Sequence, residues 1–180
     1  MKDKNIHVYS LNNQLNKVKS YLKGGGDVDA LGEYNSTPLH CASREGHLKI
    51  MTLLIKYGAD VNSKNRYSTL YPIFEILASV KIENPFPLVK LLIDNGADIE
   101  VTDSFGNTVL HYAIEKESME LIELFISLGC NINYSARHDK DTPLHYAYFQ
   151  KNKKIIDYLL EHGADREALN IYGKTAESYL

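Results

Sequence analysis

Few side chains in this 180-residue sequence could do chemistry, and most of those few recur. Three histidines stand in matching contexts: Thr37-Pro38-Leu39-His40, Thr108-Val109-Leu110-His111 and Thr142-Pro143-Leu144-His145. Gathered in one place they would suit a metal ion, since imidazole is the commonest protein ligand. Cys41 and Cys130 could act as nucleophiles if a basic neighbour lowered their pKa, but the sequence places none beside them. They are not in Cys-x-x-Cys spacing, so neither a disulfide framework nor a zinc site is expected, and a reducing compartment fits. Gly24-Gly25-Gly26 lacks the following Lys-Ser or Lys-Thr and the preceding strand of a phosphate loop, and reads as a helix stop. Asp60, Asp98 and Asp165 share a slot just after a glycine, where a carboxylate can bond local N–H groups without any catalytic role.

A repeat sets the positions of all these residues. Leu54-Ile55-Lys56-Tyr57-Gly58-Ala59-Asp60-Val61-Asn62 returns as Leu92-Ile93-Asp94-Asn95-Gly96-Ala97-Asp98-Ile99-Glu100, and again around Gly129 and Gly163, with a weaker copy at Gly25. Subtracting residue numbers between Gly25, Gly58, Gly96, Gly129 and Gly163 gives steps of 33, 38, 33 and 34. The threonine-to-histidine marker follows about a dozen residues after three of these glycines and keeps the same phase.

A period near 33 residues with Thr-Pro-Leu-His-x-Ala is the ankyrin signature, and the handful of marker hexapeptides here resembles that family over nearly the whole chain. The resemblance implies an all-α ankyrin-repeat solenoid of paired antiparallel helices joined by hairpin-like loops. It would form one domain over residues 1–180, with a capping repeat at about 1–33, full repeats at 34–66, 67–104, 105–137 and 138–170, and a partial one at 171–180. Equivalent atoms of adjacent repeats would then lie about 10 Å apart, too far for His40, His111 and His145 to share a metal with bonds near 2 Å. Each is expected to tie a loop to a helix start instead. In resembling proteins the slot of Asn62 and Asn133 can be hydroxylated, and Asn62 has the closer context.

Local signals agree with helix pairs. Thr37 and Thr142 read as N-caps with Pro38 and Pro143 at the first helical position, and Gly46 as the end of a first helix. Leu48, Met51, Leu54 and Ile55 fall at helical spacing, as do Leu121, Ile122, Leu124 and Phe125, and Ile155, Ile156, Leu159 and Leu160. Gly58, Gly96, Gly129 and Gly163 each stand one past a helix end. The third repeat carries the 38-residue step and lacks the marker. Either Thr69 caps its first helix or Tyr71-Pro72 takes the slot; the proline favours the second. That helix is expected to continue through Val80 towards Glu83 before Asn84-Pro85 restarts the chain, placing the insertion between the paired helices. In the cap, Lys2, Asp3, Lys4, Asn12, Asn13, Lys17 and Lys19 supply a wettable face.

A net charge of −3 offers no broad cationic field for nucleic acid, and no stretch reaches membrane-spanning length. The expectation is a monomeric cytoplasmic scaffold or adaptor for another protein, without enzyme activity or cofactor. Its richness in Lys, Asn, Ile and Tyr resembles AT-rich genomes of intracellular organisms and large viruses, which extends the expectation to a host-directed effector in host cytosol. The alternative is the targeting module of a larger enzyme. The resemblance implies a concave strip of hairpin tips and first-helix ends, with Tyr34, Phe105, Asp139 and Tyr172 at the tips. Arg44, Glu45, Glu115, Lys116, Phe149 and Gln150 fall on the exposed ends of the first helices. Three of the four tips are aromatic, a favoured interface chemistry, and Phe149 stands where its counterparts are charged.

Overall fold

A computed structural model describes residues 5–65 and 70–179. The described residues hold ten α-helices in five pairs and two short 3-10 turns, with one isolated antiparallel bridge, Thr102 to Thr108. The all-α class read from the sequence is the one observed. The chain divides after Asp98 into two compact units. The first carries α1 (Ile6–Leu11), α2 (Leu15–Lys23), α3 (Pro38–Arg44), α4 (Leu48–Lys56), α5 (Pro72–Leu77) and α6 (Phe86–Asp94). The second carries α7 (Val109–Glu115), α8 (Met119–Ser127), α9 (Pro143–Phe149), α10 (Lys153–Glu161) and a closing 3-10 turn, Ala176–Tyr179. The polar residues Lys2, Asp3 and Lys4 of the cap lie outside the described residues, as does Thr69.

Helices of six to nine residues are too short to persist alone in water, so each depends on its neighbours. In the first unit α1 packs on α3 and α3 on α5, while α2 packs on α4 and α4 on α6. In the second, α7 packs on α8 and α9, and α9 packs on α10 and the closing turn. The apolar stripes supply the core: Ile50, Met51 and Leu54 from α4, Leu121, Ile122 and Phe125 from α8, Ile155 and Leu159 from α10. Each fully buried side chain of this size contributes on the order of 2 kcal/mol. Leu48, expected in the α4 stripe, is exposed instead, and Ile50 takes its place. At 100° per residue Leu48 points roughly 110° away from the mean direction of Ile50, Met51 and Leu54.

The irregular pair follows the Tyr71-Pro72 register: Tyr71 is the extended N-cap and Pro72 the first residue of α5. The expected continuation to Glu83 does not occur. α5 stops at Leu77 with Ala78 as its C-cap, and Val80 is 96% exposed. The helix is two turns long, like its counterparts, because that is the span over which a neighbour can cover it. From the start of α5 to the start of α6 is 14 residues (72 to 86), against 10 from α3 to α4 (38 to 48). The extra four form a loop that folds back onto the α3–α4 turn, where Lys81 Nζ donates to both carboxylate oxygens of Glu45 at 2.8 Å. Ile82 closes over Gly46, whose φ of +71° turns the chain into α4.

Candidate functional site

The recurring histidines form a structural joint. His40 Nδ1 accepts the backbone N–H of Thr37 at 3.1 Å, and His111 and His145 accept those of Thr108 and Thr142 at 3.1 and 3.2 Å. The same nitrogen lies 2.8 to 2.9 Å from each threonine hydroxyl. At the opposite corner of the ring, Nε2 faces a carbonyl just ahead of the next helix pair: Leu70 O for His40, Asp141 O for His111 and Lys174 O for His145, at 3.1, 3.3 and 3.1 Å. A backbone N–H can only donate and a carbonyl can only accept, so each ring is neutral with its proton on Nε2. His7, which lacks the threonine marker and was not singled out by sequence, does related work: its Nε2 reaches Ala30 O at 2.8 Å and Ser36 O at 3.0 Å.

With both nitrogens engaged, these imidazoles have no lone pair to offer a metal. Burial opposes protonation, lowering the His40 pKa and holding His111 at about 4. Burial also pushes the Cys41 thiol up to about 11 and that of Cys130 up to about 12, the reverse of what a nucleophile needs.

The turns after the second helices carry a second joint. Asn62 Oδ1 accepts the N–H of Asp98 and its Nδ2 donates to Gly96 O, both at 2.8 Å. Asn133 does the same with Asp165 and Gly163, at 2.8 and 3.1 Å. Asp60 Oδ1 accepts the N–H of Asn62 and Asp165 Oδ1 that of Glu167, the local role expected of this slot. The Asn62 side chain, a candidate for hydroxylation by resemblance, is thus tied at both ends of its amide.

The candidate contact residues divide by unit. In the first, Tyr34 is exposed at a tip where it and Asn35 adopt φ of 60° and 57°. Arg44 ends α3, but its guanidinium donates from Nε and Nη2 to the two oxygens of buried Glu75, each at 2.8 Å. Glu45 is held by Lys81. Both are committed within the fold.

In the second unit Phe105, Asp139 and Tyr172 occupy successive hairpins joined through the backbone. Phe105 O accepts the N–H of Arg137 at 2.9 Å, and Asp139 O that of Ile171 at 2.8 Å. Phe105 leans on the His138 ring, with centroids 5.5 Å apart. Glu115 closes α7, exposed, with Lys116 as its C-cap; Phe149 closes α9, with Gln150 as its C-cap. Phe149 meets Tyr179 edge-on at 6.0 Å yet stays 70% exposed, as does Tyr172.

Sequence reasoning overlooked Tyr112, Tyr146 and Tyr179, which share the slot four residues after Thr108, Thr142 and Thr175. Their hydroxyls donate to Asp103 Oδ2 and Asn107 Oδ1, both at 2.9 Å, and to Asp141 Oδ2 at 3.2 Å. The signal was present in Leu-His-Tyr-Ala, which occurs twice, but it looked like helix filler.

Comparison with known proteins finds the family described as Ankyrin repeats (3 copies) over residues 76–170 and Ankyrin repeat over residues 34–66. The chain is 34% identical over 172 residues to the palmitoyltransferase ZDHHC17 of Homo sapiens, covering 95% of this chain and 27% of that protein. It is 32% identical over 175 residues to a putative palmitoyltransferase, ZDHHC13 of Danio rerio, covering 95% and 26%. A fungal relative, the palmitoyltransferase AKR1 of Lachancea kluyveri, is 29% identical over 180 residues, covering 96% and 22%. The chain therefore spans about a quarter of the length of these relatives.

Proposed function

Because the chain belongs to the ankyrin-repeat family, we propose that it is a protein-interaction module of the scaffold or adaptor kind, with no catalytic step of its own. It works as a cytoplasmic monomer, in host cytosol if its source is an intracellular parasite, and holds a partner on hairpin tips and first-helix ends. One observation carries this reading. The three recurring histidines are buried with both ring nitrogens engaged, while Phe105, Phe149 and Tyr172 are turned out at 58%, 70% and 70% exposure. Water penalises large exposed aromatics, and interfaces use them as anchors.

A second reading is favoured by the relatives, whose names are those of palmitoyltransferases. In a longer protein of that kind, this stretch is the targeting part that presents proteins to a transferase centre elsewhere. The high pKa values of Cys41 and Cys130 suit neither thiol to carry an acyl group itself.

Proximity labelling in cells expressing the full chain, beside a variant with Tyr34, Phe105 and Phe149 all changed to alanine, tests the reading. Neighbours labelled by the parent should disappear with the variant while its helical content is retained. Identical label patterns would reject the tips as the contact surface.

A further inference from the structure

The second unit carries more than exposed aromatics, because its tyrosine hydroxyls are tethered and several carboxylates lie close to them. The Tyr112 and Tyr146 hydroxyls are tethered to Asp103 and Asn107, so each ring is pinned at its hydroxyl end to the same hairpin, and both residues are half-buried. The Tyr146 ring also meets the His111 ring in an edge-type contact, with centroids 5.0 Å apart and planes at 78°. Such a ring is a platform, since little side-chain freedom remains to be lost when something settles on it.

The charge around this platform narrows what can settle. Asp139, Asp141, Glu115 and Asp103 all act on the Tyr146 phenol; burial first, and then these carboxylates, push it up to about 12. Asp103 and Asp141 are spent on internal bonds, Asp139 accepts the Asp141 N–H on one carboxylate oxygen and is half-buried, and Glu115 is exposed. The neighbouring cations are Arg137 and Lys140, on the hairpin that carries Asp139, and Lys116, next to Glu115. An apolar segment lying over the rings would strip water from carboxylates and give them no partner, and an acidic one would be repelled. A guanidinium or ammonium group gains both the ring face and the carboxylates.

We infer that the partner docks on this unit through a lysine- or arginine-bearing segment, lying over Tyr112, Tyr146 and Phe149 with Glu115 and Asp139 as its counter-charges. The inference rests on the interaction-module reading and names the chemistry of the partner. Arginine fits better than lysine because its planar group can stack on a tyrosine face while bonding a carboxylate at its edge.

The test is a selection from displayed random peptides of about a dozen residues against the purified full chain at physiological salt. The parent protein should retain peptides enriched in Arg and Lys by about threefold over the input, and a variant carrying Glu115→Gln and Asp139→Asn should lose that enrichment. A retained basic peptide, measured by fluorescence anisotropy, should bind this variant and a separate Phe149→Ala variant about tenfold more weakly than the parent. Retention without a basic excess, a basic excess that survives in the charge variant, or no retention would each overturn the inference. If the retained peptides are neutral or acidic yet still depend on Phe149, the basic-partner inference fails while the interaction-module reading stands. If nothing depends on Phe149 and proximity labelling is also unchanged, both fail.

Discussion

Arg44, at the end of α3, grips the buried carboxylate of Glu75 in α5 with two 2.8 Å hydrogen bonds. The pair is lopsided: the Glu75 side chain is 5% exposed and that of Arg44 49%. Removing the arginine strands a buried carboxylate to which, among the described residues, Asn65 Nδ2 still donates at 3.3 Å. Removing the acid frees a guanidinium that water can rehydrate. Arg44→Ala should therefore cost about 2 kcal/mol, less than a fully buried pair because Arg44 is half in solvent, and Glu75→Gln about 1 kcal/mol. Urea denaturation of the two variants checks the order. An equal or reversed cost would mean that the pair is merely a surface contact.

The His111 ring bridges Thr108 and Asp141 as a neutral group, which gives stability a defined pH dependence. Burial holds its pKa at about 4, below the value near 6.5 of an unfolded histidine. Between those values the unfolded chain binds the proton and the folded chain does not, so stability rises with pH across that window. The contribution is fully present above pH 6.5 and is lost as pH falls towards 4, by up to about 3 kcal/mol. His40, also lowered by burial, acts in the same direction. Imidazole titration by NMR should show His111 neutral at pH 5, and the urea midpoint should fall from pH 7 to pH 4.5 by less in His111→Asn than in the parent. A measured His111 pKa near 6.5 would contradict the joint described for it.

Where the sequence could be read correctly, the reason was repetition. Thr37 and Thr142 cap helices as read, Thr108 in the same marker does so too, and their histidines tie loops, because closely similar local chemistry recurs in phase. The α5 boundary was misread because Val80 continues a plausible apolar spacing, and periodicity alone does not reveal that the neighbouring helix has already ended. Arg44 reads as a contact candidate because it falls on the exposed end of a first helix; its partner Glu75 lies 31 residues away on another helix, which local pattern does not reveal. The tyrosine row escaped notice for a related reason. Whether Tyr146 is filler or a platform depends on Asn107, 39 residues earlier, and on which carboxylates the stacking gathers around it.

Cys41 and Cys130 should be slow to react. With thiol pKa values of about 11 and about 12 against an ordinary value near 8.5, the thiolate fraction at neutral pH falls by two orders of magnitude or more. Alkylation at pH 7.4, followed by intact-mass measurement, should run about a hundredfold more slowly in the folded chain than in urea. Fast labelling of either thiol in the folded protein would indicate local opening, or a reactive site that the packing does not predict.

Two glycines with nearly the same backbone angle should respond unequally to the same substitution. Gly106 and Gly129 both have φ of +85°, so an alanine at either meets the left-handed penalty of about 1 kcal/mol. Around Gly129 a new Cβ finds nothing within 4 Å. At Gly106 it would lie 2.5 Å from the Arg137 nitrogen and 2.7 Å from its Cβ, in the turn of the next hairpin. That nitrogen is the donor to Phe105 O, so the hairpins must separate and the bond that aligns the Phe105 tip with the Asp139 tip is lost. Gly129→Ala should cost about 1 kcal/mol and leave partner labelling intact, whereas Gly106→Ala should cost about 3 kcal/mol and weaken labelling as Phe105→Ala does. Thermal melts measure the first quantity and proximity labelling at a temperature where both variants are folded measures the second. Equal melting temperatures for the two variants would show that the tips are not stitched in this way.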